Sequence, residues 1–327
     1  MLVTKRIFPN FLKSLSFLLL IGLFAGLSAC VNTDEGFSNQ AEIDDGLIQQ
    51  HLTDNNITAE KSANGYYYRV IAENPQGQDI QAGDIVSIYY DLSLLDGTLL
   101  EKIERGSDPP AHILHGQGLV IPQGIDFALT EMKSGEKYEF FLPSQFAYNS
   151  YFYKQLIPQF ALVRMVIEVD AIVSEAGQKS YEDGLINAYI NDQDLTDVQP
   201  KEDGLYYQLL TTGEGELAQS LQRITVHYTG KLLDGTVFDT SVGKTPFDFV
   251  LGQNTVIQGW EKGLLLMKKG ETARLIIPSH LAYGPNLFVV PQVIGEDLVN
   301  TQNVAPYPFD IPPYSPLVFD VEVLEIE

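Results

Sequence analysis

This chain of 327 residues repeats itself. Asp45-Gly46-Leu47-Ile48 returns as Asp183-Gly184-Leu185-Ile186, and Leu95-Asp96-Gly97-Thr98 as Leu233-Asp234-Gly235-Thr236, both 138 positions later. Between these pairs Gly65-Tyr66-Tyr67-Tyr68 is echoed by Gly204-Leu205-Tyr206-Tyr207, and Leu52-Thr53 by Leu195-Thr196 with a small shift. Self-similarity at one long period means two copies of one structural unit. Each unit has a short helical lead-in and a Tyr-rich strand (43–78 and 175–215), followed by a body (79–174 and 216–327). In the bodies apolar residues alternate, as in Ile224-Val226-Tyr228 against Thr225-His227-Thr229, the period of a half-buried strand. Asp-Gly pairs mark the turns, and Thr272–Ile277 and Leu317–Leu324 supply further strands. In Trp260–Lys268, Trp260, Gly263, Leu264 and Met267 fall on one helical face. The predicted fold class is α+β, each body a curved antiparallel sheet around one short helix.

Residues 1–29 are not fold. Lys5, Arg6 and Lys13 precede an apolar run, Leu15 to Leu27, that is short for a membrane span. It ends in Leu27-Ser28-Ala29-Cys30, which resembles the bacterial lipobox. That resemblance implies a cleaved signal peptide, lipidation of Cys30 and a location on the bacterial cell envelope, facing the periplasm or on the outer membrane. Cys30 is the only cysteine, so no thiol is left to form a disulfide. Several acyl chains, at about 0.8 kcal/mol per methylene, would hold the protein on a bilayer. Residues 31–42 are polar without an apolar period and read as a flexible tether between anchor and first domain. The formal charge is −23. Losing the three leader cations makes it more negative still, so neither nucleic acid nor anionic headgroups are expected partners.

The second body carries a set of ordered motifs. His227-Tyr228-Thr229-Gly230 comes first, then Asp234-Gly235-Thr236-Val237-Phe238-Asp239. Val256-Ile257-Gln258-Gly259-Trp260 holds the only tryptophan. Ala282-Tyr283-Gly284, Ile311-Pro312-Pro313-Tyr314 and Leu317-Val318-Phe319-Asp320 follow. In this order and near this spacing, the stretch from about 216 to the C-terminus resembles the FKBP-type peptidyl-prolyl cis-trans isomerase family (EC 5.2.1.8). The resemblance implies two FKBP-like domains in tandem and a cleft that acts on proline-containing polypeptides, among them unfolded exported proteins. It places Tyr228, Phe238, Asp239, Phe247, Val256, Ile257, Trp260, Tyr283, Ile311 and Phe319 in that cleft, with the Trp260 indole as its floor and the Tyr283 hydroxyl as a donor to a substrate carbonyl. No cofactor or metal is implied.

The chemistry is compatible with such a cleft. Rotation about a peptide bond meets a barrier of ~18–20 kcal/mol that arises from resonance, and isomerisation before proline takes tens to hundreds of seconds. No covalent bond breaks, so neither nucleophile nor metal is needed. A dry apolar site disfavours the planar, charge-separated amide relative to the twisted one. Other chemistries lack their signatures. The five histidines show no ligand spacing, and there is no phosphate loop or nucleophile elbow. Asp44-Asp45 and Glu182-Asp183 read as solvated helix starts rather than calcium ligands.

The first body keeps the scaffold and loses much of the cleft. Tyr90, Tyr148 and Ile157 stand where the second body has Tyr228, Tyr283 and Ile311. Leu100, Glu101, Ala111, Ile125 and Met165 replace Phe238, Asp239, Phe247, Trp260 and Phe319. Core packing tolerates such swaps, but a grip on a proline ring does not, so the first body is expected to be catalytically degenerate. The second body departs from the family in the segment 285–310, which is too apolar for a solvated linker. It is expected at the rim of the second cleft, extending or covering it. The alternative to an isomerase is a non-catalytic peptide-binding module or holdase chaperone that uses the first body and this flap.

Overall fold

The computed structural model describes residues 33–286, 291–301, 308 and 310–327, with side chains from residue 39 onward; Cys30 and the leader lie outside the described residues, as do Phe288, Val289, Val290, Tyr307 and Phe309 of the long flap. The first repeat contains helix α1 (Thr33–Asp54), strands β1 (Glu60–Lys61), β2 (Tyr67–Ala72), β3 (Ile85–Leu94), β4 (Leu99–Ile103) and β5 (Ala111–Leu114), helix α2 (Gly124–Leu129), and strands β6 (Lys137–Leu142) and β7 (Val163–Val173). The second contains α3 (Glu175–Asp192), β8 (Gln199–Pro200), β9 (Tyr206–Thr211), β10 (Glu214–Leu217), β11 (Arg223–Leu232), β12 (Val237–Thr240), β13 (Phe247–Val250), α4 (Gln258–Leu264), β14 (Lys268–Lys269), β15 (Thr272–Ile277), α5 (Gln292–Asn300) and β16 (Leu317–Ile326).

Each repeat builds one seven-stranded antiparallel sheet. The orders are β1-β2-β6-β7-β3-β4 with β5 on β3, and β8-β9-β15-β16-β11-β12 with β13 on β11. The repeat is visible in register: Leu92 faces Met165 across β3 and β7, and Gly230 faces Phe319 across β11 and β16. The Asp-Gly turns close the same way in both. Gly97 and Gly235 adopt φ of 93° and 91°, which a side chain resists. The preceding aspartates accept from the backbone N–H of Thr98 and Thr236 at 2.9 and 2.8 Å.

The sheets are covered on both faces, by the body helix on one and by the expected lead-in helix on the other. Alternation along the strands explains it. Leu275 and Phe319 point into the core with Trp260 and Leu264 of α4. Their neighbours Ile276 and Val318 point the other way, onto Ile186 of α3. In the first repeat α1 does the same with Ile48 and Leu52 against Tyr67 and Phe141.

Three expectations are corrected. The part of the expected tether that the structure describes, 33–42, is helical, because α1 begins at Thr33. The Trp260 helix is shorter than the apolar period suggested and ends at Leu264; Met267 is still buried, but from the turn that follows. Neither acidic pair starts a helix, and one acid of each is buried. Asp44 and Glu182 are each 1 % exposed and sit one turn or more inside their helices. Asp44 accepts from the backbone N–H and hydroxyl of Ser144 at 2.9 and 2.6 Å. Glu182 does the same for Ser279 at 2.8 and 2.6 Å. Each lead-in helix thus clamps the turn that carries Tyr148 or Tyr283. The Glu182 clamp extends across the domain boundary: Gln178 donates to Glu182 at 2.9 Å and bonds the ring of His112 on β5.

Candidate active site

Helix α4 lies close on the sheet because two of its residues lack side chains. A Cβ on Gly259 would come within 2.3 Å of Ile277, and one on Gly263 within 2.5 Å of Leu275. That approach lowers Trp260 into the sheet's concavity, where it is 4 % exposed. The α4 N-terminus has no side-chain cap of its own. Instead Glu261 accepts from the N–H groups of Gly252 and Asn254 at 2.6 and 2.9 Å, which ties the preceding loop to the helix and sets Val256 and Ile257 at the mouth of the cleft. In the first domain Asp126 does the same for Gly116 at 2.9 Å.

Around the indole the rings meet edge to face. Tyr228 is 5.1 Å away at 82°, Phe319 5.3 Å at 86° and Phe247 6.1 Å at 73°; Phe238 reaches Phe319 at 5.6 Å and 82°. Such pairs contribute about 0.5–1.5 kcal/mol each beyond burial, so the floor is stiff. Above it opens a cleft of about 1110 Å³. Tyr228, Phe238, Asp239, Phe247, Val256, Ile257, Trp260, Tyr283 and Phe319 all line it. Ile311 stands apart. It is buried in the core of the second domain and borders a separate cavity of about 400 Å³ between the domains, with Tyr90, His112 and Tyr181.

The polar residues of the lining are Tyr228, Asp239, Asn254, Thr255, Gln258 and Tyr283. The Tyr228 hydroxyl donates to Asp239, which also accepts from the Thr240 N–H at 2.8 Å. Asp239 therefore orients a neighbouring tyrosine. Burial, then the bond to Asp239, pushes the Tyr228 hydroxyl well above its ordinary pKa. Burial, then the Asp239 charge, raises that of Tyr283. Tyr283 makes no side-chain hydrogen bond among the described residues, and the buried indole Nε1 of Trp260 has no partner there either. The site offers an aromatic floor, two tyrosine hydroxyls and the Asp239 carboxylate.

Several contributors were not evident from the sequence. Asn254, Thr255, Gln258, Ala282 and Pro308 also line the cleft, and Phe249 packs on the indole at 6.0 Å from beneath. The most informative is Gly230. A Cβ there would lie 2.7 Å from both Phe238 and Phe319, so glycine makes room for the two rings. The position 138 earlier is Leu92, fully buried, which fills that space in the first domain. The repeat offset of 138 is the sequence signal that could have found this pair. The first domain otherwise copies the plan: Ile125 takes the indole's place at the start of α2, and Tyr90 donates to Glu101 at 2.5 Å.

The sequence model of the family described as FKBP-type peptidyl-prolyl cis-trans isomerase matches residues 76–170 and again 214–324. The FKBP-type 22 kDa peptidyl-prolyl cis-trans isomerase of Escherichia coli is 42 % identical over 39 % of this chain and 53 % of its own length. Peptidyl-prolyl cis-trans isomerase FKBP10 of Mus musculus is 30 % identical over 63 % of this chain and 31 % of its own. The chain therefore spans about half or less of the length of these relatives. The crystal structure of FkpA from Escherichia coli is 31 % identical, with 47 % of this chain and 64 % of that one covered at a TM-score of 0.35. With the family's pattern matched in both halves, the chain belongs to the FKBP-type peptidyl-prolyl cis-trans isomerases, in two copies.

Proposed function

We propose that the second domain catalyses cis-trans isomerisation of peptide bonds preceding proline, with Tyr228, Phe238, Asp239, Phe247, Val256, Ile257, Trp260, Tyr283 and Phe319 as its site. The observation that carries the reading is the buried indole ringed by Tyr228, Phe247 and Phe319 under an open cleft. A proline ring laid on the indole is gripped on its apolar faces, and the amide before it is held where water is scarce. Loss of solvation costs the planar, charge-separated amide more than the twisted one. The neutral Tyr283 hydroxyl is placed to donate to a carbonyl of the bound segment. Ile311 acts from behind, as core. Proline-limited refolding of a model protein, run beside an aggregation assay, tests this: catalysed refolding at substoichiometric protein supports the isomerase, and suppression of aggregation without rate acceleration supports the holdase instead.

We further propose that the protein works on exported polypeptides at the cell envelope, anchored through Cys30. The anchor reading rests on the lipobox-like Leu27-Ser28-Ala29-Cys30; among the described residues no helix is long and apolar enough to cross a membrane. Cys30→Ser should abolish the lipid-dependent mass increase and release the protein from membranes. An unchanged mass and membrane fraction would refute the anchor.

A further inference from the structure

The described helix of the second domain's insertion, α5, packs on the first domain. Pro291, Ile294, Gly295 and Leu298, spaced as one helical face, are the buried residues along and just before α5. Ile294 is 0 % and Leu298 3 % exposed, and both belong to the hydrophobic core of the first domain. That core includes Tyr90, Ile125, Tyr148 and Met165, the residues that stand for Tyr228, Trp260, Tyr283 and Phe319. Two polar contacts fix the helix there. The Gln292 N–H donates to Glu101 at 3.3 Å, the counterpart of Asp239, and the Tyr151 hydroxyl donates to Asp297 at 2.8 Å. The flap was expected at the rim of the second cleft; its described helix fills the first one instead.

The two ends of the insertion remain at the second cleft, where Tyr283 and Pro308 both line the opening. Helix α5 is therefore seated on the neighbouring domain and not on the cleft from which its segment emerges. We propose that the first domain's degenerate cleft is a receptor for α5, and that this docking holds the second cleft open to polypeptide substrates. The coupling rests on the isomerase reading of the second cleft; the docking does not. Aliphatic replacements in the first cleft suit this role, since helix-in-groove binding needs apolar anchors such as Ile294 and Leu298 laid in an apolar groove.

Hydrogen exchange and turnover of the full chain test both parts. In wild type the amides of 292–300 should be protected. In Ile294→Asp/Leu298→Asp these amides and those of β4 should lose protection, and kcat/KM on a proline-limited refolding protein should fall at least about fivefold, the lower end of ordinary coupling between sites. Val293→Asp, on the exposed side of α5, should change neither. If the double aspartate variant misfolds, Ile294→Ala/Leu298→Ala serves in its place. Unprotected wild-type amides at 292–300 overturn the docking. An undocked, folded variant with unchanged or faster turnover overturns the coupling. A wild type that is inactive while α5 is protected counts against the isomerase and leaves the docking standing.

Discussion

Position 230 and its counterpart 92 differ in the room they leave for neighbouring rings. Glycine at 230 leaves room for Phe238 and Phe319, and Leu92 occupies the corresponding volume. Gly230→Leu should therefore displace both rings, destabilise the second domain by about 1–3 kcal/mol as overpacking does, and remove most turnover; chemical unfolding and peptide isomerisation measure the two effects. The tyrosines make a second prediction at this scale. Burial and Asp239 raise the pKa of Tyr228 and Tyr283. For a neutral acid, a raised pKa means the proton is kept to higher pH. Turnover should thus show no loss of a hydroxyl donor up to about pH 10, the ordinary tyrosine value. A fall in kcat/KM between pH 7 and 9 with the fold intact would show that another group controls the donor. Tyr228→Phe, which releases Asp239, should cost about 0.5–1.5 kcal/mol of stability.

The elements that carry the site are held by contacts distant in sequence. Glu182 reaches the turn before Tyr283 from 97 residues away. Glu182→Ala leaves the buried N–H and hydroxyl of Ser279 without their acceptor, so it should cost about 1–3 kcal/mol and slow isomerisation through a misplaced Tyr283. Asp44→Ala should destabilise the first domain and leave turnover unchanged. Unfolding curves and isomerisation rates of both variants check this division. These contacts also explain what the sequence could and could not tell. Local patterns were legible in the strand alternation at 224–229, the strand run at 272–277 and the Asp-Gly turns, whereas the cleft aromatics came from the family resemblance. The role of Asp44 and Glu182 was not legible, because an acid before an apolar helical face looks the same whether it meets water or a serine of another element. The end of α4 at Leu264 was missed because Met267 keeps the apolar period after the backbone has left the helix. The first-domain docking of α5 was out of reach for a similar reason, since an amphipathic face does not name the surface that covers it.

At the scale of the whole molecule, the two copies have diverged in opposite directions from one plan. One keeps an aromatic floor beneath an open cleft; the other has a filled interior and holds a helix that belongs to its neighbour. The polar chain from His112 through Gln178 and Glu182 to Ser279 joins the copies on a second path, so they are not independent beads. Cutting the chain at 216 would also remove β9, which lies between β15 and β8; assigning activity to one domain calls for substitution within the full chain. The central claim is that turnover resides in the Trp260 cleft. Trp260→Leu keeps an apolar core residue and removes the flat floor. The most direct measurement is the rate of proline-limited refolding catalysed by full-length wild type and Trp260→Leu at equal concentration, with the variant's fold confirmed by circular dichroism. We predict acceleration by wild type and a loss of at least about tenfold in the variant, equivalent to about 1.4 kcal/mol of transition-state stabilisation. A folded Trp260→Leu that matches wild type would contradict the account.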